Sequence, residues 1–298
     1  MFRIGLVLGF ITTFAFVNFT IASENLQRFD RVIAAYDFEN DIAIGAVDIG
    51  PRNIHAGFSR GAFKSDESKF GNKSLAFERS GHFGGSEDSF LSVFNEFSIA
   101  FWIKTPVQDC DIAIGLLAKD GFETKGVTSV RIESEGYSYK TGIIDAGGIS
   151  THHSDGKNLH RIEVTDIKDV NMMDSTWHHI VFTLDKKQYV ITIDGEIIFT
   201  KIEQSKKYTE PSWKGEEKVP AYIGYVGDKT VISIELAPDN KKINGQIFFD
   251  DVIFYEEAFS ATDIQQLYKN GLKNFLEVMP VDPQEKVATT WAEIKSGR

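Results

Sequence analysis

The sequence predicts an all-β fold: an antiparallel two-sheet β-sandwich with one short helix near its C-terminal end. Three observations predict it. Apolar residues alternate with a period of two in several separate stretches, an Asp-Gly pair stands between two of those stretches, and only one segment carries the spacing of an amphipathic helix.

The chain opens on Met1, Phe2 and Arg3, followed by an apolar run from Ile4 to Ala22. One positive charge, a hydrophobic stretch and then small residues form the pattern of a secretory signal peptide, with cleavage after Ala22 or Ser23. The run is about as long as a short membrane-spanning helix, so an uncleaved anchor competes. Against the anchor, Thr12, Thr13, Asn18 and Thr20 dilute the run and no basic cluster follows. The expectation is a protein secreted from the cytoplasm, with no membrane insertion after cleavage. It divides into a signal peptide (1–23), a globular domain (30–276) and a C-terminal tail (277–298) that contains Pro280, Pro283 and Trp291.

The full chain holds 32 Lys+Arg against 43 Asp+Glu. Losing Arg3 with the leader makes the balance more acidic still. An acidic surface with scattered lysines and no basic stripe excludes nucleic acid and anionic lipid as natural partners. Cys110 is the one cysteine, which rules out an intrachain disulfide.

Phe97, Ile99, Phe101 and Ile103 alternate with Ser98, Ala100, Trp102 and Lys104; His178, Ile180, Phe182 and Leu184 repeat the pattern. A turn at Asp185-Lys186-Lys187 leads to a strand through Tyr189, Ile191 and Ile193. Asp194-Gly195 then suits a type I′ hairpin, because both residues tolerate positive φ. Gln246 to Tyr255 reads as the last long strand. The helix starts at Ser260 with Asp263 three residues on, a capping-box spacing. It carries Ile264, Leu267 and Tyr268 on one face and stops at Asn270-Gly271.

In this order the motifs resemble the laminin-G-like, concanavalin-type jelly-roll modules of bacterial secreted proteins. Ala35-Tyr36-Asp37-Phe38-Glu39 is similar to the first strand of that family, and Asp48 and Asn53 occupy its early loop. Gly71-Asn72-Lys73-Ser74-Leu75-Ala76-Phe77 and Phe97 to Lys104 match body strands. Trp177-His178-His179-Ile180 matches a Trp-His-His signature, and Ile193-Asp194-Gly195 a hairpin. Tyr222-Ile223-Gly224 and Gly245 to Tyr255 match late strands, before Ala258-Phe259-Ser260 leads into the helix. The resemblance spans about Val32 to Leu272. It implies a non-catalytic binding module that recognises a glycan or an extracellular protein through loops of the sandwich. A structural or adhesion role with a protein partner is the alternative, and a glycoside hydrolase on the same fold stands third.

Several residues bear chemistry. Retaining glycosidases on such a sandwich pair two acids on one strand; the chain has no Glu-x-Asp-x-x-Glu run, and Glu133-Ser134-Glu135 lacks a third partner. His178 and His179 follow one another on a strand, so they point to opposite faces and cannot share a metal. His152, His153 and His160 are expected in a polar loop, where a transition-metal site lacks carboxylate or Cys support. On strict alternation Phe248, Asp250, Val252 and Phe254 share one face, and Ile247, Phe249, Asp251 and Ile253 the other. At least one carboxylate then sits beside a core row and needs a cation or several donors. The resemblance implies a structural Ca²⁺ held by Asp250, Asp48 and Asn53; the alternative is satisfaction by protein groups alone. Less Gly and Asn than usual surround Asp48 and Asn53. Trp213, in a polar loop, is the expected platform for a sugar. Trp102 and Trp177 are expected to anchor the core.

Overall fold

The computed structural model describes residues 28–42, 45–85, 96–105, 110–116, 128–132, 138–139, 142–143, 149–154, 159–164, 172–185, 188–202, 221–224, 235–236 and 245–277. Trp213, Glu133, Glu135, the N-terminal leader and the C-terminal tail lie outside them.

Strands make up most of the described chain, and the long helix follows the last of them. β1 (Val32–Tyr36), β2 (Asp41–Ile42), β3 (Gly45–Ala46), β4 (Ala56–Ser65) and β5 (Ser74–Gly85) precede β6 (Phe97–Lys104). Six strands follow: β7 (Cys110–Leu116), β8 (Thr128–Ile132), β9 (Ser138–Tyr139), β10 (Gly142–Ile143), β11 (Ile149–Ser154) and β12 (Leu159–Val164). Then come β13 (Trp177–Leu184), β14 (Gln188–Ile193), β15 (Glu196–Ile202), β16 (Ala221–Gly224), β17 (Glu235–Leu236), β18 (Ile247–Tyr255) and helix α1 (Ala261–Glu277). All the described pairings are antiparallel, as expected.

One hydrogen-bonded path runs β12-β11-β8-β7-β16-β5-β18-β6-β13-β14-β15. It is continuous because β5 changes partners along its length. Leu75 to Phe77 pair with β18, and His82 to Gly84 pair with β16. A strand that passes from one layer to the other in this way makes the corner of a sandwich. The two layers close on a shared core. Phe101, Ile180, Phe182 and Phe249 come from one layer, and Ile114, Val130, Ile132 and Ile149 from the other. Within it Phe77 and Phe249 meet edge to face at 5.9 Å, an arrangement that aromatic quadrupoles favour.

β6 is buried on both sides. Phe97, Ile99, Phe101 and Ile103 enter the main core, whereas Ala100 joins a second cluster with Val181 and Ile253 under Ile264, Leu267, Leu272 and Phe275 of α1. The small residues on this outer face make room for the helix. Ser98 also anchors its approach: the hydroxyl donates to Glu257 O (2.8 Å) and accepts from Phe259 N (2.9 Å).

The Asp194-Gly195 turn has φ of 52° and 82° and joins Ile193 to Glu196 directly across the hairpin, the expected type I′ geometry. The capping box also forms: Ser260 N donates to Asp263 Oδ2 (2.9 Å), and Asp263 N donates to the Ser260 hydroxyl (3.2 Å).

Four expectations need correction. Strict alternation fails in β18, where a bulge between Asp250 and Ile253 inserts an extra residue and Asp251 takes φ 48°. Ile247 and Phe249 before the bulge therefore face the same core as Val252 and Phe254 after it. Gly271 (φ 77°) breaks the helix at the expected place, but the chain does not leave it there, since a second helical segment resumes from Leu272 to Glu277. His152 and His153 lie on β11 and His160 on β12, not in a loop, with His153 opposite His160 in the register. Finally, Trp102 is 2% exposed and fully internal, but Trp177 is only half-buried at the start of β13.

Candidate functional site

The expected calcium ligands are the first residues to place. Asp48 is buried, and its carboxylate accepts three main-chain hydrogen bonds. Ala35 N and Gly50 N donate to Oδ1 and Ile54 N to Oδ2, each at 2.8 Å. Burial pushes its pKa up while the three donors pull it down. Asn53 stands in the same loop, exposed and with φ 53°. Asp250 is fully buried: Lys69 N (2.8 Å) and Phe70 N (3.0 Å) donate to Oδ2, and Asp251 N (2.9 Å) donates to Oδ1. Asp251 Oδ2 in turn accepts from Leu272 N at 2.6 Å, capping the helical segment that follows the kink.

This donor set does not fit a calcium ion. The carboxylate oxygens point at positive N–H dipoles, which compete with a cation for the same lone pairs. Among the described residues, no group of three or more His, Cys, Asp or Glu side chains is arranged to hold a metal. Asp250 and Asp251 instead pin two main-chain segments, the loop at Lys69-Phe70 and the kink at Gly271-Leu272, to the outer face of the sheet. We expect identical melting curves in chelator and in millimolar Ca²⁺. Asp250→Asn should lower stability by about 1–3 kcal/mol in both, because the amide must turn its NH2 toward at least one of the three N–H donors. A calcium-dependent rise of several degrees in the melting temperature would restore the ion.

The two histidines of the Trp-His-His segment do point apart, and they meet opposite chemistry. His178 Nδ1 lies 2.8 Å from Asp194 Oδ2, and its Nε2 lies 3.2 Å from Asp174 Oδ1 and 3.1 Å from the Thr176 hydroxyl. The hydrogen bond to Asp194 is the main cause of a raised pKa. With both ring nitrogens facing carboxylates, His178 clamps the start of β13 to the β14–β15 turn. His179 packs beside both Trp102 (5.0 Å) and Tyr268 (5.9 Å), whose rings stack on each other, and its Nδ1 has no hydrogen-bond partner. Burial drives its pKa down to about 3.

A different place offers space for a ligand. A groove of about 270 Å³ opens between the outer face of β13, β14 and β15 and the start of α1. Its lining includes Thr183, Gln188, Val190, Thr192, Ile197 and Ile264. Gln265 Nε2 donates to Gly195 O at 2.8 Å, tying the helix to the hairpin beside the groove. Ile197 is 64% exposed. None of these residues stands out in the sequence. The one signal was a pair of threonines, Thr183 and Thr192, at outward positions of neighbouring strands. The expected site residue Trp213 lies outside the described residues.

Two antiparallel layers joined through β5, with the last strand at their centre, define a jelly-roll sandwich. The laminin-G-type profile of the concanavalin A-like lectin/glucanase superfamily matches residues 83–265. The chain belongs to that superfamily. No curated protein matches it. Among solved structures it is similar to the binding domain of Paraclostridial Mosquitocidal Protein 1, with a TM-score of 0.52, 17% identity and coverage of 80% of this chain and 52% of that one. The ligand-binding domain of botulinum neurotoxin serotype D, in complex with N-acetylneuraminic acid, gives a TM-score of 0.54 at 12% identity, covering 82% and 52%. The receptor-binding domain of botulinum neurotoxin type G gives 0.50 at 14%, covering 80% and 51%. The chain thus spans about half the length of the toxin domains it resembles.

Proposed function

We propose that this protein is a secreted, non-catalytic binding module that recognises a carbohydrate or an extracellular protein. The observation that carries the non-catalytic reading is how the buried carboxylates are used. Asp48, Asp250 and Asp251 each accept main-chain N–H groups and hold loops or a helix in place. An acid at work on a glycosidic bond must instead reach the substrate oxygen. Asp250 and Asp251 have raised pKa values, caused first by burial. That is a trait of catalytic acids elsewhere, but here Asp250 is taken up by the Lys69-Phe70 loop and Asp251 by the helical segment at Leu272. Its similarity to the binding domains of the mosquitocidal protein and the botulinum neurotoxins supports the same reading.

The carbohydrate reading is preferred because of the groove, which combines hydroxyl and amide groups with aliphatic side chains. A glycan array with the full chain is expected to give reproducible hits, and a chromogenic glycoside panel no turnover. An empty array alongside capture of a defined extracellular protein would favour the adhesion alternative; glycoside turnover would overturn both.

Export rests on Arg3 and the apolar run that follows it. N-terminal sequencing of protein recovered outside the cytoplasm should begin at Ser23 or Glu24. An intact Met1 in a membrane fraction would identify an anchor instead.

A further inference from the structure

The imidazole of His178 stands where three segments meet: the residues ahead of β13, the start of β13 itself and the β14–β15 turn. His178 is 8% exposed, whereas Asp174 and Thr176 beside it are exposed. Its two ring nitrogens are held unequally. Nδ1 faces Asp194 Oδ2 at 2.8 Å. That aspartate is fastened twice more, because its Oδ1 accepts from His179 N and its own N–H donates to His179 O, each at 2.8 Å. Nε2 has two longer contacts, to Asp174 Oδ1 at 3.2 Å and to the Thr176 hydroxyl at 3.1 Å. The same hydroxyl lies 2.6 Å from Asp174 Oδ1, to which it donates.

A hydroxyl has one hydrogen to give, and here it has two acceptors within reach. When the ring is charged, Nε2–H donates to Asp174, and the hydroxyl gives its hydrogen to that carboxylate as well. When the ring is neutral, the bond to Asp194 keeps the remaining proton on Nδ1, so Nε2 becomes an acceptor. It then repels the Asp174 carboxylate and suits the Thr176 hydroxyl. Among the described residues, Asp194 and Asp174 are the charged groups that face the ring. β6 places Ile103 opposite it, α1 meets the turn through the uncharged Gln265 on Gly195 O, and burial keeps the neighbouring His179 neutral.

We propose that His178 and Thr176 form a proton switch: the charged imidazole ties Asp174 to Asp194, and the neutral ring keeps Asp194 but exchanges Asp174 for the Thr176 hydroxyl. The proton leaves Nε2 for solvent on the side of the exposed Asp174 and Thr176. What is let go is the segment from Asp174 to Thr176, and the hairpin stays fastened. The bond to Asp194 is the first cause of the raised pKa of His178. The tie is therefore present at acid pH and lost as pH rises through that raised value. The inference is independent of the ligand that the module binds.

The test is a titration of the full chain between about pH 5 and about pH 10, read by the ring nitrogen shifts of His178 and by amide exchange. On losing its charge the ring should keep its proton on Nδ1, with a midpoint above that of an ordinary histidine. The Ser175 amide donates to Thr105 O at 3.2 Å. Its protection, corrected for the intrinsic rate, should fall about tenfold over the same range, the loss of one charged hydrogen bond. The amides of His179 and Asp194 should keep theirs. Two variants at exposed positions separate a switch from a structural contact. Asp174→Asn still accepts the Thr176 N–H but removes a charge that favours the imidazolium, so the midpoint should fall by about half a pH unit to one unit. Thr176→Val should raise it by about half a unit, because the neutral ring loses its donor and Asp174 loses a competing one. A proton left on Nε2 after titration would overturn the proposal, as would a midpoint that either variant leaves unmoved or shifts the other way. Loss of protection at Asp194 and His179 ahead of Ser175 would make the hairpin the released element and overturn it too. So would Ser175 protection that does not change with pH.

Discussion

Trp102→Ala should destabilise the domain by about 3–5 kcal/mol, the usual range for deleting a large buried aromatic. Trp102 is where the outer layers meet. Tyr268 of α1 stacks on it at 5.5 Å, Phe70 meets it edge-on at 5.9 Å, and Lys69 Nζ sits 4.1 Å from the ring centroid. Its truncation therefore loosens the helix, the Lys69-Phe70 loop and β6 together. Trp177→Ala should cost less, because that indole is half-buried at a strand end, where it packs on Phe248 at 6.3 Å and hydrogen-bonds Glu67. Chemical denaturation of the two variants checks the contrast. Equal losses would mean that the edge of β13 is as tightly packed as its centre.

His179 should make the fold sensitive to acid, and the sign follows from its burial. Its pKa is about 3 in the folded protein against an ordinary 6.5. The unfolded chain therefore takes up the proton first as pH falls. The stability at stake is fully present above about pH 6.5 and is lost as pH falls toward 3, with a ceiling of about 5 kcal/mol from the size of the shift. Asp250 and Asp251 act in the opposite sense. Burial raises their folded pKa values, so their contribution is present at low pH and is lost as pH rises through those values. The histidine's share must therefore be read as a difference. Wild type and His179→Phe should diverge in stability between pH 7 and pH 4, with the variant losing less on acidification. Parallel curves would mean that the imidazole finds water or a partner when charged. His178 behaves in reverse: its bond to Asp194 raises its pKa, and its clamp weakens as pH rises through that raised value.

The regular parts of this fold were legible because period-two alternation maps directly onto a pleated strand. Phe97 to Lys104 and Trp177 to Leu184 lie opposite one another in the ladder, residue for residue. Legibility ended where a backbone left the regular ladder. The bulge at Asp251 turns on one positive φ, which no periodicity encodes, and it reversed the faces assigned to half of β18. The burial of β6 on both sides was hidden for another reason, since Ser98 and Ala100 look solvent-facing until a helix is known to cover them. The groove was least visible of all. Thr183, Thr192 and Ile197 are ordinary strand residues and become a site only when the hairpin meets the start of α1.

The order of synthesis gives the position of β18 a kinetic meaning. This strand is flanked by β6 on one side and by β5 and β1 on the other, so the centre of the layer is the last strand to be made. Val32 pairs with Tyr255, and Arg28 forms an ion pair with Asp263. Contacts between residues so distant in sequence close slowly, and only after the loop-closure entropy has been met. A nascent chain that stops short of Ile247 leaves β1 without its ladder partner and β6 with one edge open. It should remain protease-sensitive and open to holding factors until Ile247 to Tyr255 has emerged and paired.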